Sequence, residues 1–244
     1  MTTTASNDPG RLSLLRNAVR AVVGLPCFVV AHARRETHIE HTDTTVDQLS
    51  EQPPEPTTVP GLHDPIQHRT VGVGPVVMRT YSVDITNPAL TRHELIAALC
   101  ANPNRFNSDL VAGFVQDDQP ATDLTEGDQL VVEIPGPWNG PVHVAEANVD
   151  RLLLATMNGH MEAGHIRFDT APLDESAAGG GYQFRIRSWA TAGDAAFLAA
   201  HLVVPVGKAF QTAMWTAMCD NAESIAGGTR SGSIRVSTEK VRTR

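Results

Sequence analysis

The sequence has no excess of positive charge and few cysteines. Its net charge is −8 at pH 7, which argues against broad nucleic-acid contact, because such contact needs Lys and Arg to neutralise phosphates. Cys27, Cys100 and Cys219 are odd in number, far apart and surrounded by apolar neighbours. They predict buried thiols rather than a disulfide framework or a zinc cluster.

Common catalytic and cofactor motifs are also missing from the sequence. It contains no P-loop, no dinucleotide fingerprint and no Gly-x-Ser-x-Gly elbow, and Gly72-Val73-Gly74 is too short and too close to Pro75 to count. A Pro-rich stretch without cysteine holds His38, His41, His63 and His68. Because that stretch offers no rigid frame for a metal, we expect neither a metal nor another cofactor.

Residues 1–35 predict an N-terminal helix. Asp8 is a suitable N-cap, Pro9 suits the first helical position, and Gly24 suits the end. Arginines followed by apolar residues within 11–35 also suggest a secretory signal, but Pro26 and Arg34 argue against that reading. The apolar run of about ten residues is shorter than the roughly 20 that span a membrane. We expect cytoplasmic residence, with export or weak membrane-surface contact through residues 11–35 as alternatives.

Residues 36–75 predict a linker or an arm that lies on the surface. They are rich in Thr, Asp, Gln and His, and Pro53, Pro54 and Pro56 lie near the centre. Prolines at this density remove backbone donors and favour extended conformations. Beyond this arm, we expect one domain over residues 76–228 and a basic, polar tail over residues 229–244.

The domain begins with a strand and a helix. Alternation from Val76 predicts a strand with an apolar face, and we assign Arg79 to its polar face. The apolar face comprises Val77, Tyr81, Val83 and Ile85. Thr91 and Glu94 form the pattern of a capping box, which predicts a helix that Pro103 ends.

Six further alternating segments follow, separated by short turns. They are 110–116, 129–134, 142–147, 151–157, 165–170 and 182–189. Short connections require antiparallel pairing, because a parallel crossover needs a dozen or more residues. The sequence therefore predicts a seven-stranded antiparallel meander.

A helical pattern then runs from Asp194 to Gly227. Pro205 and Gly207 lie inside it and predict a kink or break near 201–205. A helix this long can bury its apolar side only across the concave face of the sheet. The prediction is an α+β domain in which a seven-stranded sheet wraps around a long C-terminal helix and encloses a cavity.

This order of elements resembles the helix-grip fold of the START-like (SRPBCC-like) superfamily, which includes pollen allergens, polyketide cyclases and lipid-transfer domains. The chain also resembles a domain family of unknown function found in actinobacteria and plants, in the segments 135–142, 158–168, 184–189 and 211–228. Its Gly-His-x-Glu-x-Gly-x-x-x-Phe signature is matched by Gly159, His160, Glu162, Gly164 and Phe168. The resemblance implies the fold and brings no biochemical activity with it.

The signature allows two readings of its polar residues. A zinc site is disfavoured, because His160 and His165 are five positions apart and glycines flank the segment. In one reading, the Asn158-Gly159 turn lets His160 and Glu162 bond backbone groups or an arginine and fix the strand entry. In the other, His160 or Glu162 lies at the cavity mouth as a ligand contact or a proton-transfer group.

Aromatic and basic residues complete the candidate set. Trp138 is expected in a hairpin tip beside the pocket or packed under the loop, and Trp215 in the helix core or stacked on a ligand. Outward-facing arginines are expected to be solvated and paired with acidic groups, with an anion site as the alternative. They are Arg167, Arg185 and Arg187. The ligand-binding candidates are Tyr81, Trp138, Asn158, His160, Glu162, Phe168, Phe184 and Trp215.

Three functions remain open at this point. The first is noncatalytic binding of a hydrophobic or amphipathic small molecule in the cavity. The second is a cyclase- or hydratase-type enzyme with His160, Glu162 or Tyr81 as acid/base groups. The third is a protein-interaction module without a ligand. The sequence leaves the oligomeric state open.

Overall fold

Ten strands and two α-helices make up the regular structure of the residues that the computed structural model describes, which are 39–54, 66–107, 113–133, 139–173, 180–193 and 205–242. The strands are β1 Ile39–Val46, β2 Val73–Thr86, β3 Gly113–Gln116, β4 Gln119–Pro120, β5 Gln129–Glu133, β6 Asn139–Ala147, β7 Arg151–Thr156, β8 Glu162–Pro172, β9 Gly181–Ala192 and β10 Thr229–Val241. The helices are α1 Arg92–Ala101 and α2 Pro205–Ala226, with a 3₁₀ helix at Pro103–Phe106. The fold is therefore mixed α+β, as predicted.

The strands form one sheet in the order β1-β10-β2-β9-β8-β7-β6-β5-β3-β4. Strands that are joined by short turns pair antiparallel, as the meander requires, and β1 pairs parallel with β10. The predicted count of seven was wrong, because β1, β4 and β10 join the sheet. These three lack a clear apolar alternation: β1 is largely exposed, β4 has two residues, and β10 buries only Ile234 and Val236.

Within the predicted C-terminal tail, residues Thr229–Val241 form strand β10 instead. Strand β10 pairs with β2 over most of its length and lies between β2 and β1. Its sequence is largely polar, and its buried residues are Ile234 and Val236. A strand that needs few apolar side chains to hold its place gives little signal in the sequence.

Helix α1 begins with the predicted capping box. The Thr91 hydroxyl accepts from the Glu94 N–H at 3.3 Å, and the Glu94 carboxylate accepts from the Thr91 N–H at 2.8 Å. The helix ends at Ala101, immediately before Asn102 and Pro103. Its buried residues are Leu95, Ile96 and Leu99.

Removal of this cap gives a first testable expectation. Thr91→Ala should lower the free energy of unfolding by about 1 kcal/mol, because the first turn of α1 loses a side-chain acceptor. Chemical denaturation followed by circular dichroism measures the change. The control is Thr42→Ala at an exposed position of β1, and an equal loss in both variants would contradict the role of the cap.

Helix α2 packs against β2, β9 and β10, and α1 packs against β7 and β8. Gly227 follows α2 with a φ of 65°, the left-handed conformation that commonly ends helices. The predicted helix start at Asp194 and residues 201–204 of the predicted break lie outside the described part of the chain, and α2 begins at Pro205. Within the described part, no helix is long and apolar enough to cross a membrane.

The main core lies between these helices and one face of the sheet. The Phe168 and Trp215 rings meet edge to face with centroids 5.8 Å apart, and Phe184 lies 6.5 Å from Phe106. Cys219 is buried in this core and Cys100 is half-buried, and both are free thiols. Cys27 lies outside the described residues.

The opposite face of the sheet is covered in part by the segment predicted as an arm. Ile66 packs on Ala145, Leu153 and Ala155, and the Thr191 hydroxyl donates to the Arg69 carbonyl at 3.1 Å. Glu51 lies over the outward-facing arginines. These arginines are paired with acidic groups as expected, but they are largely buried rather than solvated.

Candidate functional site

The buried face of strand β9 switches from one side of the sheet to the other after Ile186. Before this point, the residues that face the helices are buried: Tyr182, Phe184 and Ile186. After it, the outward residues are the buried ones: Arg187, Trp189 and Thr191. The helix-facing residues of this second half, Ser188, Ala190 and Ala192, are partly exposed. Solvent therefore reaches the helix-facing side at one end of the sheet.

The neighbouring strands show the same change at the same end. Glu162 and Ile166 on β8 and Val77 and Arg79 on β2 are partly exposed although they share a face with the core. The cross-strand neighbour of Ala190 on β8 is Gly164, which has no side chain. At this end β9 has small helix-facing residues, Ser188, Ala190 and Ala192, whereas its other end has Tyr182, Phe184 and Ile186.

A cluster of polar side chains lies at this end, between the sheet and the first described turns of α2. We call the set Arg79, Tyr81, Glu162, Gln211 and Thr212 the polar cluster. The Arg79 guanidinium donates to the Gln211 side-chain oxygen, and the Gln211 amide nitrogen lies 3.5 Å from both Glu162 carboxylate oxygens. Gln211 thus connects a cation on β2 to an anion on β8.

Tyr81 is the most deeply buried member, at 1% exposure. Burial raises the pKa of Tyr81 to about 12, although the Arg79 charge and a hydrogen bond with Thr212 act in the opposite direction. The phenol is therefore protonated at neutral pH and can donate a hydrogen bond. Arg79 has its Nε buried with no hydrogen-bond partner among the described residues.

His160 positions the strand that carries Glu162. The Glu162 N–H donates to His160 Nδ1 at 2.9 Å, and the His160 N–H donates to the Met157 carbonyl at 3.0 Å across the Asn158-Gly159 turn. Burial lowers the pKa of His160, and the Glu162 charge opposes this effect. His160 is thus a neutral ring that binds backbone, as in the polar-hairpin reading.

Each glycine of the signature is required at its position for a different structural reason. Gly159 has a φ of 91°, which the turn requires and which glycine adopts without strain. Gly164 permits close approach of β8 to β9, because a Cβ there would lie 1.9 Å from the Trp189 carbonyl oxygen. Phe168 then packs on Trp215. Of the signature side chains, Glu162 is the one that reaches the polar cluster.

The structure brings together only some of the predicted site residues. Tyr81 and Glu162 lie in the polar cluster with His160 beside them, whereas Asn158 is exposed in the turn. The aromatic candidates Phe168, Phe184 and Trp215 belong to the core below the cluster. Trp138 lies outside the described residues.

Sequence reasoning missed Arg79, Gln211 and Thr212. Arg79 was wrongly placed on the polar face of its strand. It has the same parity as Tyr81 and Val83, so strand geometry puts it on the helix-facing side. The alternation of side chains along the strand alone could have placed Arg79 on this side. Gln211 and Thr212 gave no such signal, because polar residues of a helix are usually solvated.

His160 and His165 occupy different environments, which removes any geometric basis for a shared site. His165 faces outward beside Trp189, and it is 3% exposed. Burial, assisted by the charges of Arg69 and His68, lowers the pKa of His165 to about 4.

Comparison with solved structures gives a partial likeness. No family model and no curated protein matches the chain. Among solved structures, it is similar to the crystal structure of the di-domain ARO/CYC StfQ from the steffimycin biosynthetic pathway. The TM-score is 0.43 and the identity 13%, over 65% of this chain and 52% of that chain. The match thus spans about half the length of that structure.

Proposed function

We propose that the protein binds an amphipathic small molecule between the sheet and α2, without catalysis. The apolar body of the ligand lies along the helix-facing side of β2, β8 and β9, and its polar end meets the polar cluster. The observation that carries this proposal is the partly exposed group of Arg79, Glu162 and Gln211 on a face that is otherwise apolar.

The proposal includes a helix-grip, START-like arrangement for the central seven strands. Their order, β2-β9-β8-β7-β6-β5-β3, supports it, as does the placement of α1 after β2 and of α2 after β9. In such an arrangement the ligand space lies between the concave sheet and the C-terminal helix. Strands β1 and β10 extend the sheet beyond β2.

Charged groups placed against an apolar core lower stability unless they have partners. The contacts of Gln211 with Glu162 are long, at 3.5 Å, and Arg79 Nε lacks a partner among the described residues. A ligand oxygen would receive hydrogen bonds from Arg79 and from the protonated Tyr81. A carboxylate, sulfonate or carbonyl end therefore suits the site.

In this proposal the apolar contact comes from the partly exposed helix-facing residues Val77, Ile166 and Ala190. The rings of Phe168, Phe184 and Trp215 lie beneath them in the core, and His160 holds the strand of Glu162 in place. Asn158 and Trp138 are proposed at the entrance, the latter from the sequence alone.

Titration with anilinonaphthalene sulfonate tests the proposal, because this probe joins apolar rings to one sulfonate. We expect saturable binding to the native protein. Arg79→Met should weaken it about tenfold, because a charge-assisted hydrogen bond contributes about 1.5 kcal/mol. Ala190→Phe should abolish it by filling the space above β9. Native mass spectrometry of the purified protein should also reveal a copurified small molecule.

The matched control is Arg235→Met. Arg235 faces outward and pairs with Asp84 at 2.6 Å, so its loss should leave probe affinity unchanged. Thermal unfolding of each variant confirms that it is folded. Absence of saturable binding together with absence of a copurified molecule would reject the proposal and favour an interaction module without a ligand. Equal weakening by both arginine variants would reject the role of the polar cluster.

A second candidate is acid/base catalysis in the same place. The observation that favours it is a carboxylate and a protonated phenol in one cluster, Glu162 and Tyr81. Glu162 would accept a proton from a carbon next to a carbonyl, and Tyr81 would donate a hydrogen bond to the resulting enolate oxygen. Mass spectrometry of molecules copurified with wild type and with Glu162→Gln separates the two functions. An enzyme would retain a different compound in the variant, whereas a carrier would retain the same one.

A further inference from the structure

Three arginines lie close together on the outward face of the sheet, away from the polar cluster. Arg167 on β8 is directly opposite Arg187 on β9, and Arg185 is two positions from Arg187 on the same face. Like charges that face each other across strands are destabilising. Such a group needs anions between its members.

Asp169 supplies one of these anions. Its carboxylate oxygens lie 2.7 Å from Arg185 Nε and 2.9 Å from Arg167 Nε, and Arg187 also donates to it. Asp169 is itself on β8 and buried. This carboxylate is therefore a fixed part of the sheet.

The second anion comes from a distant part of the chain. The Glu51 carboxylate accepts from Arg167 through one oxygen and from Arg187 through the other. The Trp189 indole N–H donates to the Glu51 carbonyl at 3.1 Å, and the Arg167 guanidinium lies 5.0 Å from the centroid of the same indole. The two arginines thus hold one planar oxyanion between them.

Exposure differs sharply between the two sides of this contact. The Arg167 and Arg187 side chains are 13% and 10% exposed, whereas the Glu51 side chain is 34% exposed. The oxyanion position therefore opens to solvent while the guanidinium groups lie behind it. A group that approaches from solvent can replace the Glu51 carboxylate without unfolding the sheet.

We propose that Arg167 and Arg187 form a binding site for a carboxylate or phosphate group, and that Glu51 occupies this site as a tethered competitor. Arginine is suited to this task because its planar donor fork binds two oxygens of one anion. Three guanidinium groups meet two carboxylates here, so an incoming phosphate with more than one negative charge suits the site better than Glu51 does. The site does not depend on the ligand proposed between the sheet and α2.

Calorimetric titration of Glu51→Gln with inorganic phosphate, and separately with acetate, tests the proposal. Since a tethered group competes at an effective concentration on the order of millimolar or higher, loss of the Glu51 charge should strengthen phosphate binding by about tenfold or more relative to wild type. Acetate should bind less tightly than phosphate. A phosphate-dependent rise in the unfolding temperature should accompany binding.

Two variants make the result specific. Glu146→Gln removes a carboxylate that pairs with Arg151 elsewhere on the surface, so it changes the net charge equally and should leave phosphate affinity as in wild type. Arg187→Met, added to Glu51→Gln, should remove the gained binding. The proposal is overturned if Glu51→Gln binds phosphate no better than Glu146→Gln, or if the gained binding survives the loss of Arg187.

Discussion

Gly164→Ala should lower the free energy of unfolding by about 3 kcal/mol or more, a loss at the upper end for a single substitution. The new Cβ would lie 1.9 Å from the Trp189 carbonyl oxygen and 2.9 Å from the Ala190 Cα. Both are backbone atoms of the adjacent central strand, so no side chain can move away to relieve the overlap. Strand β8 would have to separate from β9 where Glu162 enters the polar cluster. Chemical denaturation monitored by circular dichroism measures the loss.

Gly159→Ala is the matched control, because this glycine belongs to the same signature. Its φ is 91°, and nothing lies within 4 Å of an added Cβ. The substitution should therefore lower stability by about 1 kcal/mol through backbone strain alone. Similar losses at both glycines would show that close strand approach is not the reason for Gly164. In a variant that folds, Gly164→Ala should also weaken binding of the anilinonaphthalene sulfonate probe.

The central strands could be predicted because each has one face against the helices. Alternation of Tyr81, Val83 and Ile85 places β2 in the core, and the short turns determine the antiparallel order. Capping residues at Thr91 and Glu94 define where α1 begins. These are local signals, and they sufficed for β2, β3 and β5 to β9.

The outer strands could not be predicted because their place depends on distant partners. Strand β1 is nearly all exposed and is held by parallel pairing with β10. The contact of Glu51 with Arg167 and Arg187 is of the same kind, since a single acidic residue in a Pro-rich segment gives no sign of its partner. Sequence spacing describes neighbours along the chain and carries little information about such pairs.

The candidate site was predictable only in part, because some of its residues also depend on partners that are distant in the sequence. Glu162 and Tyr81 were found from a signature and from alternation, whereas Gln211 becomes meaningful only when α2 lies beside β8. The signature had suggested two roles for His160. Its hydrogen bond with the Glu162 backbone gives it a positioning role, and the polar group at the site is Glu162 itself.

Stability should fall when the pH is lowered from about 6.5 to about 4, and His165 should be a principal cause. Burial lowers the pKa of His165 to about 4, with Arg69 and His68 acting in the same direction. Neither ring nitrogen has a hydrogen-bond partner among the described residues. His165 is therefore protonated near pH 6.5 in the unfolded chain but only near pH 4 in the folded chain. The stabilisation is complete above pH 6.5 and is lost progressively below it.

The expected loss from this histidine is about 3 kcal/mol between those two pH values. Carboxylates also contribute to acid unfolding, so the measurement compares variants by chemical denaturation at several pH values. His165→Phe keeps an aromatic ring in the buried position and should show a flatter pH dependence than wild type. His93→Gln, at an exposed position near Asp150, should keep the wild-type dependence. An unchanged pH dependence of stability in His165→Phe would mean that His165 is solvated or hydrogen-bonded in solution. The acid sensitivity would then belong to other groups. His143, whose pKa is also lowered by burial, would be the next to test.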